Sequence, residues 1–330
     1  MEKNKLLRGL GFTAGLTAGI SAMYYHTTKL LTSLAFDRKL PKSAEWASDL
    51  VAGSPKLQEV SRMQKEAARV LRETEHEVVK IQSTDGLELV GHLFRCEQPR
   101  RLIIGFHGWR SSWASDFGLI VPFWQENHCD ILLVEQRGQN DSGGEYMGFG
   151  LLERYDCVSW ANWAQEQNFG LPVYLSGISM GATTVLMAAG MELPECVKGI
   201  SADCGFTSPQ AIWKHIARDN LHLPYTGLRE KLVDRLCRQK IQMGPEDYST
   251  VEAMKTCRVP VLFVHGTEDT FVPVEMTYEN YNACAAPKQL LIVPGAAHGM
   301  SYLTDRSVCE KAMKEFWNRF DGNEKDIGDS

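Results

Sequence analysis

The chain has 330 residues, 44% hydrophobic and 23% charged, enough apolar content to bury a sizeable core and too much for a disordered chain. Its 35 basic and 41 acidic residues leave a net charge of -6, and the basic clusters are short, which excludes an electrostatic nucleic-acid binder. Nine cysteines without a C-x-x-C pair write neither a zinc cage nor a thioredoxin-like site, and their odd number leans towards a reducing surrounding.

The N-terminus differs from the rest. Lys3, Lys5 and Arg8 precede an uncharged run, Gly9 to Tyr25, near the lower length limit for a spanning helix. We read residues 1–27 as a membrane anchor or signal-like segment, with retention of the anchor favoured because no small-x-small cleavage site closes the run. The expected contact is membrane lipid. Gly11, Gly15 and Gly19 at four-residue spacing, beside Ala14, Ala18 and Ala22, offer a smooth face on which two copies could pair as a homodimer. Lys29, Arg38, Lys39 and Lys42 balance the basic residues before the run, so charge does not fix the side of the membrane. Residues 28–74 are expected to be a helical linker, with apolar positions at helical spacing from Leu57 to Leu71. A chain starting near residue 40 is accordingly expected to stay soluble and keep its turnover.

From Glu75 short apolar runs alternate with longer helical stretches, the pattern of a mostly parallel sheet flanked by helices. The runs 75–82 and 87–94 flank Asp85-Gly86, a hairpin pair. Further strands are expected at 102–106, 131–135, 173–176, 197–202, 259–264 and 289–293, with helices at 152–167, 180–191, 274–284 and 304–320. The interval 206–256 is too long for a simple connection and is expected to form a small helical lid over the carboxyl edge of the sheet. The domain closes near residue 322, before a polar tail at 323–330.

Gly177-Ile-Ser179-Met-Gly181 stands between an expected strand and an expected helix. A serine on so sharp a turn takes a strained backbone angle, needs small neighbours two residues away on each side, and meets the positive end of the helix. Such a nucleophile needs a base, and the base needs an orienting carboxylate. His298, in Gly295-Ala-Ala-His298-Gly299, follows the last strand, and Asp269, in His265-Gly-Thr-Glu-Asp269, follows the strand before it. Asp203 in Ala202-Asp203-Cys204 is the alternative seat for the acid, and Cys204 reads as packing. Oxyanion donors are expected from the backbone N–H groups of Met180 and of Trp109, in the turn Phe106-His107-Gly108-Trp109.

These motifs make residues 75–320 resemble the α/β-hydrolase superfamily. Glu135-Gln-Arg137-Gly138-Gln-Asn-Asp-Ser142-Gly143 is similar to its D-x-R-G-x-G-x-S turn, with Glu135 and Asn140 departing from the usual aspartate and glycine. The N-terminal segment, the Phe206-Thr-Ser-Pro209 run and the modest lid suggest the membrane-anchored bacterial hydrolases of the serine aminopeptidase-like group. The resemblance implies an eight-stranded α/β-hydrolase fold and a serine hydrolase of small acyl compounds, esters above all, with no metal or organic cofactor. Two rivals stand beside it: a small-peptide aminopeptidase, for which acidic lid residues such as Glu230, Asp234 or Glu246 would have to turn inward, and a non-catalytic membrane-tethered binding module.

Overall fold

The computed structural model describes residues 21–39 and 55–321. All eight expected strands pair into one sheet: β1 Glu77–Gln82, β2 Glu88–Phe94, β3 Arg101–Phe106, β4 Cys129–Val134, β5 Val173–Ile178, β6 Val197–Asp203, β7 Val261–Gly266 and β8 Lys288–Val293. Their order is β1-β2-β4-β3-β5-β6-β7-β8, with β2 antiparallel to both neighbours and every later pair parallel. At the β1–β2 corner Gly86 takes φ +82°, and the Ser83 hydroxyl accepts from Leu87 N at 2.8 Å. Winding proceeds outward from β3 in both directions, so the gap between the carboxyl ends of β3 and β5 is the switch point where ligands bind in such sheets.

Helices occupy both faces. The chain supplies, in order, α1 (residues 21–36), α2 Pro55–Glu73, α3 Trp113–Phe117, α4 Val121–Glu126, α5 Glu153–Glu166, α6 Met180–Ala188, α7 Pro209–His215, α8 Gly227–Ile241, α9 Thr250–Thr256, α10 Val274–Ala283, α11 Ser301–Thr304 and α12 Arg306–Phe320. Strand periodicity distributes the core between the faces. Leu102, Ile104 and Phe106 of β3 meet Trp160 of α5 and Val185 of α6, whereas Ile103 joins Phe117 of α3, Phe316 of α12 and Leu71 of α2. A buried ion pair, Arg101 to Asp321 at 2.6 Å, ties the end of α12 to the start of β3, and the Tyr174 hydroxyl donates to the same carboxylate at 2.8 Å.

The 206–256 interval divides. α7, a π-helical turn at Ile216–Asn220 and α8 cover the carboxyl edge of the sheet, while α9 returns to the flanking layer, with Ala253 and Met254 in the same core cluster as Val185. The expected linker also divides: α2 packs Ala68 and Leu71 beside Trp113, and α1 joins the lid. Phe36 is fully buried, 4.9 Å from the ring of Trp213 and 5.8 Å from that of Phe149. The Tyr24 and Thr226 hydroxyls lie 2.9 Å apart, and Lys240 of α8 reaches Asp37 at 2.5 Å. Most of the expected anchor lies outside the described residues, among which no helix is long and apolar enough to cross a membrane.

Candidate active site

Ser179 sits between β5 and α6 with φ 56° and ψ -116°, a conformation L residues adopt at a cost. Its surroundings enforce that angle. A Cβ on Gly177 would collide with the carbonyl oxygen of Gly181, and one on Gly181 with that of Phe106, so both glycines are steric requirements of the turn. The Ser179 N–H donates to Asp203 O at 2.8 Å, and Thr183 N donates to Ser179 O at 3.0 Å in the first turn of α6.

The structure brings the three separated sequence candidates together. The Ser179 hydroxyl lies 2.9 Å from His298 Nε2, and His298 Nδ1 lies 2.7 Å from Asp269 Oδ2. Hydrogen bonding to the carboxylate makes Nδ1 the donor and leaves Nε2 to accept from the hydroxyl. The second oxygen of Asp269 accepts from Phe271 N at 2.9 Å and Val272 N at 2.8 Å, fixing the carboxylate plane. Asp203 does not compete for the imidazole: its carboxylate accepts from the Ser301 hydroxyl at 2.9 Å, and burial holds its pKa above the ordinary aspartate value. Burial likewise pushes the Cys204 thiol well above its usual range, unsuited to nucleophilic work.

His265 is a neighbour for which the sequence analysis assigned no role. Its Nε2 lies 3.1 Å from Asp269 Oδ2 and 2.9 Å from Val272 O, two acceptors that require a proton on that nitrogen. Nδ1 then accepts from the Thr277 hydroxyl at 2.7 Å. Burial alone would raise the Asp269 carboxyl, but hydrogen bonds from His265 and His298, with the Val272 N–H, hold it well below the usual carboxylate range. The four-residue spacing of His265 and Asp269 was visible in the sequence; that the loop folds back onto the ring was not.

The turn after β3 is held from below. Gly108 N donates to Asp116 Oδ2 at 2.6 Å, and His107, fully buried and with its pKa lowered by that burial, sets Nδ1 2.8 Å from Gly108 O while Nε2 accepts from Gln136 N at 3.2 Å. A Cβ on Gly108 would stand 3.4 Å from the Ser179 Cβ, so this turn borders the serine. Among the described residues neither Trp109 N nor Met180 N donates to a protein acceptor, which leaves both free to donate to a ligand. The turn that carries Glu135 and Asn140 is a scaffold: Arg137 chelates Asp156 with two 2.6 Å bonds, and the Ser142 hydroxyl closes on Glu135 O at 2.6 Å.

A cavity of about 220 Å³ opens on Ser179, walled by Phe206, Phe271 and Trp109 near the serine, by Trp213 and Ile216 of the lid, and by Thr28, Leu31 and Ala35 of α1. Trp109, read from the sequence as an oxyanion donor, also lends its side chain to the cavity lining. The contribution of α1 had no local signal. The acids that a peptide amino terminus would need face away: Glu230 lies 3.8 Å from Lys214, Asp234 pairs with Arg238 at 3.1 Å, and Glu246 is exposed. Among the described residues the one cluster of groups close enough to share a metal is Cys204, Asp269 and His298, and the last two are already engaged with each other.

Residues 120–323, more than half of the chain, match the family described as the prolyl oligopeptidase family. The chain is similar to the uncharacterized protein YqkD of Bacillus subtilis, 27% identical over 188 residues that make up 57% of this chain and 61% of that protein. It is similar also to the human protein ABHD12B, 26% identical over 209 residues, 60% of this chain and 56% of that one. It thus spans about three fifths of the length of the curated relatives it matches first. Of solved structures, the Pyrococcus furiosus esterase Pf2001 shares the fold with a TM-score of 0.59 at 23% identity, over 76% of this chain and 94% of that one. Est1E from Butyrivibrio proteoclasticus, solved with ferulic acid, does so with a TM-score of 0.56 at 22% identity, over 73% and 98%. The sequence motifs alone suggested the serine aminopeptidase-like group. By fold and by family match, this α/β-hydrolase chain belongs to the prolyl oligopeptidase family.

Proposed function

We propose that the protein is a serine hydrolase of acyl compounds with a preference for carboxylic esters. The observation that carries this reading is the continuous Ser179–His298–Asp269 hydrogen-bonded chain at the mouth of an apolar cavity. Ser179 Oγ attacks the acyl carbon while His298 Nε2 takes its proton, and the imidazolium so formed is stabilised by Asp269. The N–H groups of Trp109 and Met180 receive the oxyanion, and the leaving alcohol departs with the proton held on His298. Water, deprotonated by the same nitrogen, then attacks the acyl-enzyme and releases the acid. The preference for esters over aminoacyl amides is supported by the lid acids: a buried ammonium requires a carboxylate partner, and Glu230, Asp234 and Glu246 do not line the cavity.

The test compares p-nitrophenyl esters of increasing acyl length with aminoacyl anilides. Esters should be turned over at higher kcat/KM, and faster cleavage of the anilides would overturn the ester reading. Labelling of Ser179 by a fluorophosphonate should be lost in Ser179→Ala; labelling that persists would overturn the nucleophile. Membrane attachment through residues 9–25 remains part of the proposal, supported by the uncharged run and by exposed Met23 and Tyr25 where that run enters α1. Full-length protein recovered in the soluble fraction with an intact N-terminus would exclude it.

A further inference from the structure

Among the described residues, one charged side chain lines the cavity that opens on Ser179. Arg229, near the start of α8, is 4% exposed, and its Nε and Nη1 find no protein acceptor among the described residues. Of the other buried arginines, Arg154 also leaves Nε and Nη1 unpaired, stacked on Tyr248 and Tyr155, but it does not line the cavity, and its Nη2 donates to the Tyr155 hydroxyl. Arg137 is held by two carboxylates and Arg101 by Asp321, and the half-buried Arg110 is held by the carbonyl oxygens of Leu34 and Asp37. Among the described residues, Arg229 is matched instead by the ring of Tyr24, 4.5 Å from its guanidinium carbon. A ring so placed satisfies the face of a guanidinium and leaves the in-plane N–H groups unpaired. The adjacent acid, Glu230, is turned to Lys214, and the Tyr225 hydroxyl beside the cavity already donates to Gln210. A cation kept buried with free donors is costly unless an anion completes it.

We propose that Arg229 is a specificity residue that binds a carboxylate carried by the substrate, so that the preferred substrates are acyl compounds bearing a second acidic group across an apolar segment. The inference rests on the serine-hydrolase reading and adds the substrate class. The apolar walls between Ser179 and Arg229, among them Phe206, Ile212, Trp213 and Val233, suit the segment that separates the two polar ends. A monoanion is the matched charge. A phosphate monoester would bring a charge of about -1.5 to -2, leaving part of it uncompensated by the single cation among the described lining residues.

Two measurements test this on the full chain. The first is the ratio of kcat/KM for p-nitrophenyl hemiesters of dicarboxylic acids to that for neutral p-nitrophenyl esters of equal chain length. The wild-type ratio should exceed unity by about tenfold at the best-fitting length, as expected for a charge-assisted hydrogen bond. It should fall to unity or below in Arg229→Met and recover in part in Arg229→Lys, which restores charge without the planar fork. The second is calorimetric binding of octanoate against octanol: Arg229→Met should weaken octanoate about tenfold and octanol much less. Thermal unfolding establishes that each variant is folded. A wild-type ratio near unity at every length, or an Arg229→Met protein that binds octanoate as the wild type does, overturns the proposal. Failure of the wild type to hydrolyse any ester would instead remove the serine-hydrolase reading, and octanoate binding would still decide the role of Arg229.

Discussion

The two ends of the cavity are built by opposite means. At the reacting end, each group stands in a short loop immediately after a strand, and its geometry is enforced within a few residues: Ser179 by Gly177 and Gly181, Asp269 by the N–H groups of Phe271 and Val272. At the far end, the wall is assembled from segments about two hundred residues apart in the chain, α1 against α8, through Tyr24 to Thr226 and Asp37 to Lys240. Short-range steric necessity leaves a sequence motif, because only glycine permits the turn. Long-range assembly leaves none, because an aliphatic or aromatic residue that completes a wall looks like any core residue. The comparison also separates expected phenotypes: the reacting end should govern kcat, and the far end stability and substrate choice.

The largest effect belongs to the nucleophile. Ser179→Ala should lower ester turnover by about 10⁶-fold when the machinery acts as a unit, with the fold retained, since alanine loses only one hydroxyl. Steady-state kinetics on the purified variant measure this, and turnover within tenfold of the wild type would break the assignment. Asp269→Asn comes next, at about 10⁴-fold, because an amide in place of the carboxylate presents the wrong partner to His298 Nδ1. Asp203→Asn should cost far less, since its carboxylate is engaged with Ser301 and not with the imidazole. If the order of these two variants is reversed, the triad closes through β6.

The depressed pKa of Asp269 adds a pH signature. A carboxyl whose folded pKa lies below its unfolded value of about 4 stabilises the native state fully above that value, and the stabilisation is lost as pH falls towards the folded pKa. The stability difference between wild type and Asp269→Asn should therefore be flat from pH 7 to about 5 and shrink below about 4, as read by denaturant unfolding at each pH. A difference that grows on acidification would mean that the carboxylate is not held in its charged form.

The wall gives a prediction of stability instead of chemistry. Phe36→Ala removes a fully buried ring packed between Trp213 and Phe149 and should cost about 3–5 kcal/mol. Removal of residues 1–39 takes away that ring, the Asp37–Lys240 pair and the acceptors of Arg110 together. This reverses the expectation drawn from sequence, that a chain starting near residue 40 keeps its turnover. Such a chain should unfold at lower temperature and lose activity on long acyl esters, whereas one starting near residue 20 should keep both. Equal activity of the two chains would show that α1 is dispensable to the cavity.

What the sequence made legible follows the same division. The strands were readable because parallel strands buried on both faces are unbroken apolar runs, as in Leu102 to Phe106, and the hairpin because Asp85-Gly86 supplies a positive φ. The serine, the histidine and the acid were readable from their loops, and the structure joins those loops. Two things escaped. His265 looked like part of a turn motif, since nothing local shows that Val272 O and Asp269 converge on one nitrogen. Residues 28–36 looked like a linker because their amphipathic face matches no neighbour in sequence; the partners of Phe36, Trp213 and Phe149, lie more than a hundred residues on.

Trp109 belongs to both ends, and its substitution should have the smallest effect. Its backbone N–H is the proposed oxyanion donor, while its side chain lines the cavity and donates from Nε1 to Ala35 O at 2.9 Å, on the last turn of α1. Trp109→Phe keeps the backbone donor and most of the apolar surface but removes the indole donor, leaving the Ala35 carbonyl without that partner. A neutral hydrogen bond of this kind contributes about 0.5–1.5 kcal/mol, so the variant should unfold slightly earlier. On a short neutral ester kcat should change by no more than about threefold, because the oxyanion donor is untouched, and the loss should appear in KM for long acyl chains that press against α1. A large fall in kcat with unchanged KM would mean that the indole, and with it the position of α1, sets the geometry of the oxyanion turn. The two ends of the cavity would then be one mechanical unit, and the division between chemistry and recognition would fail at this residue.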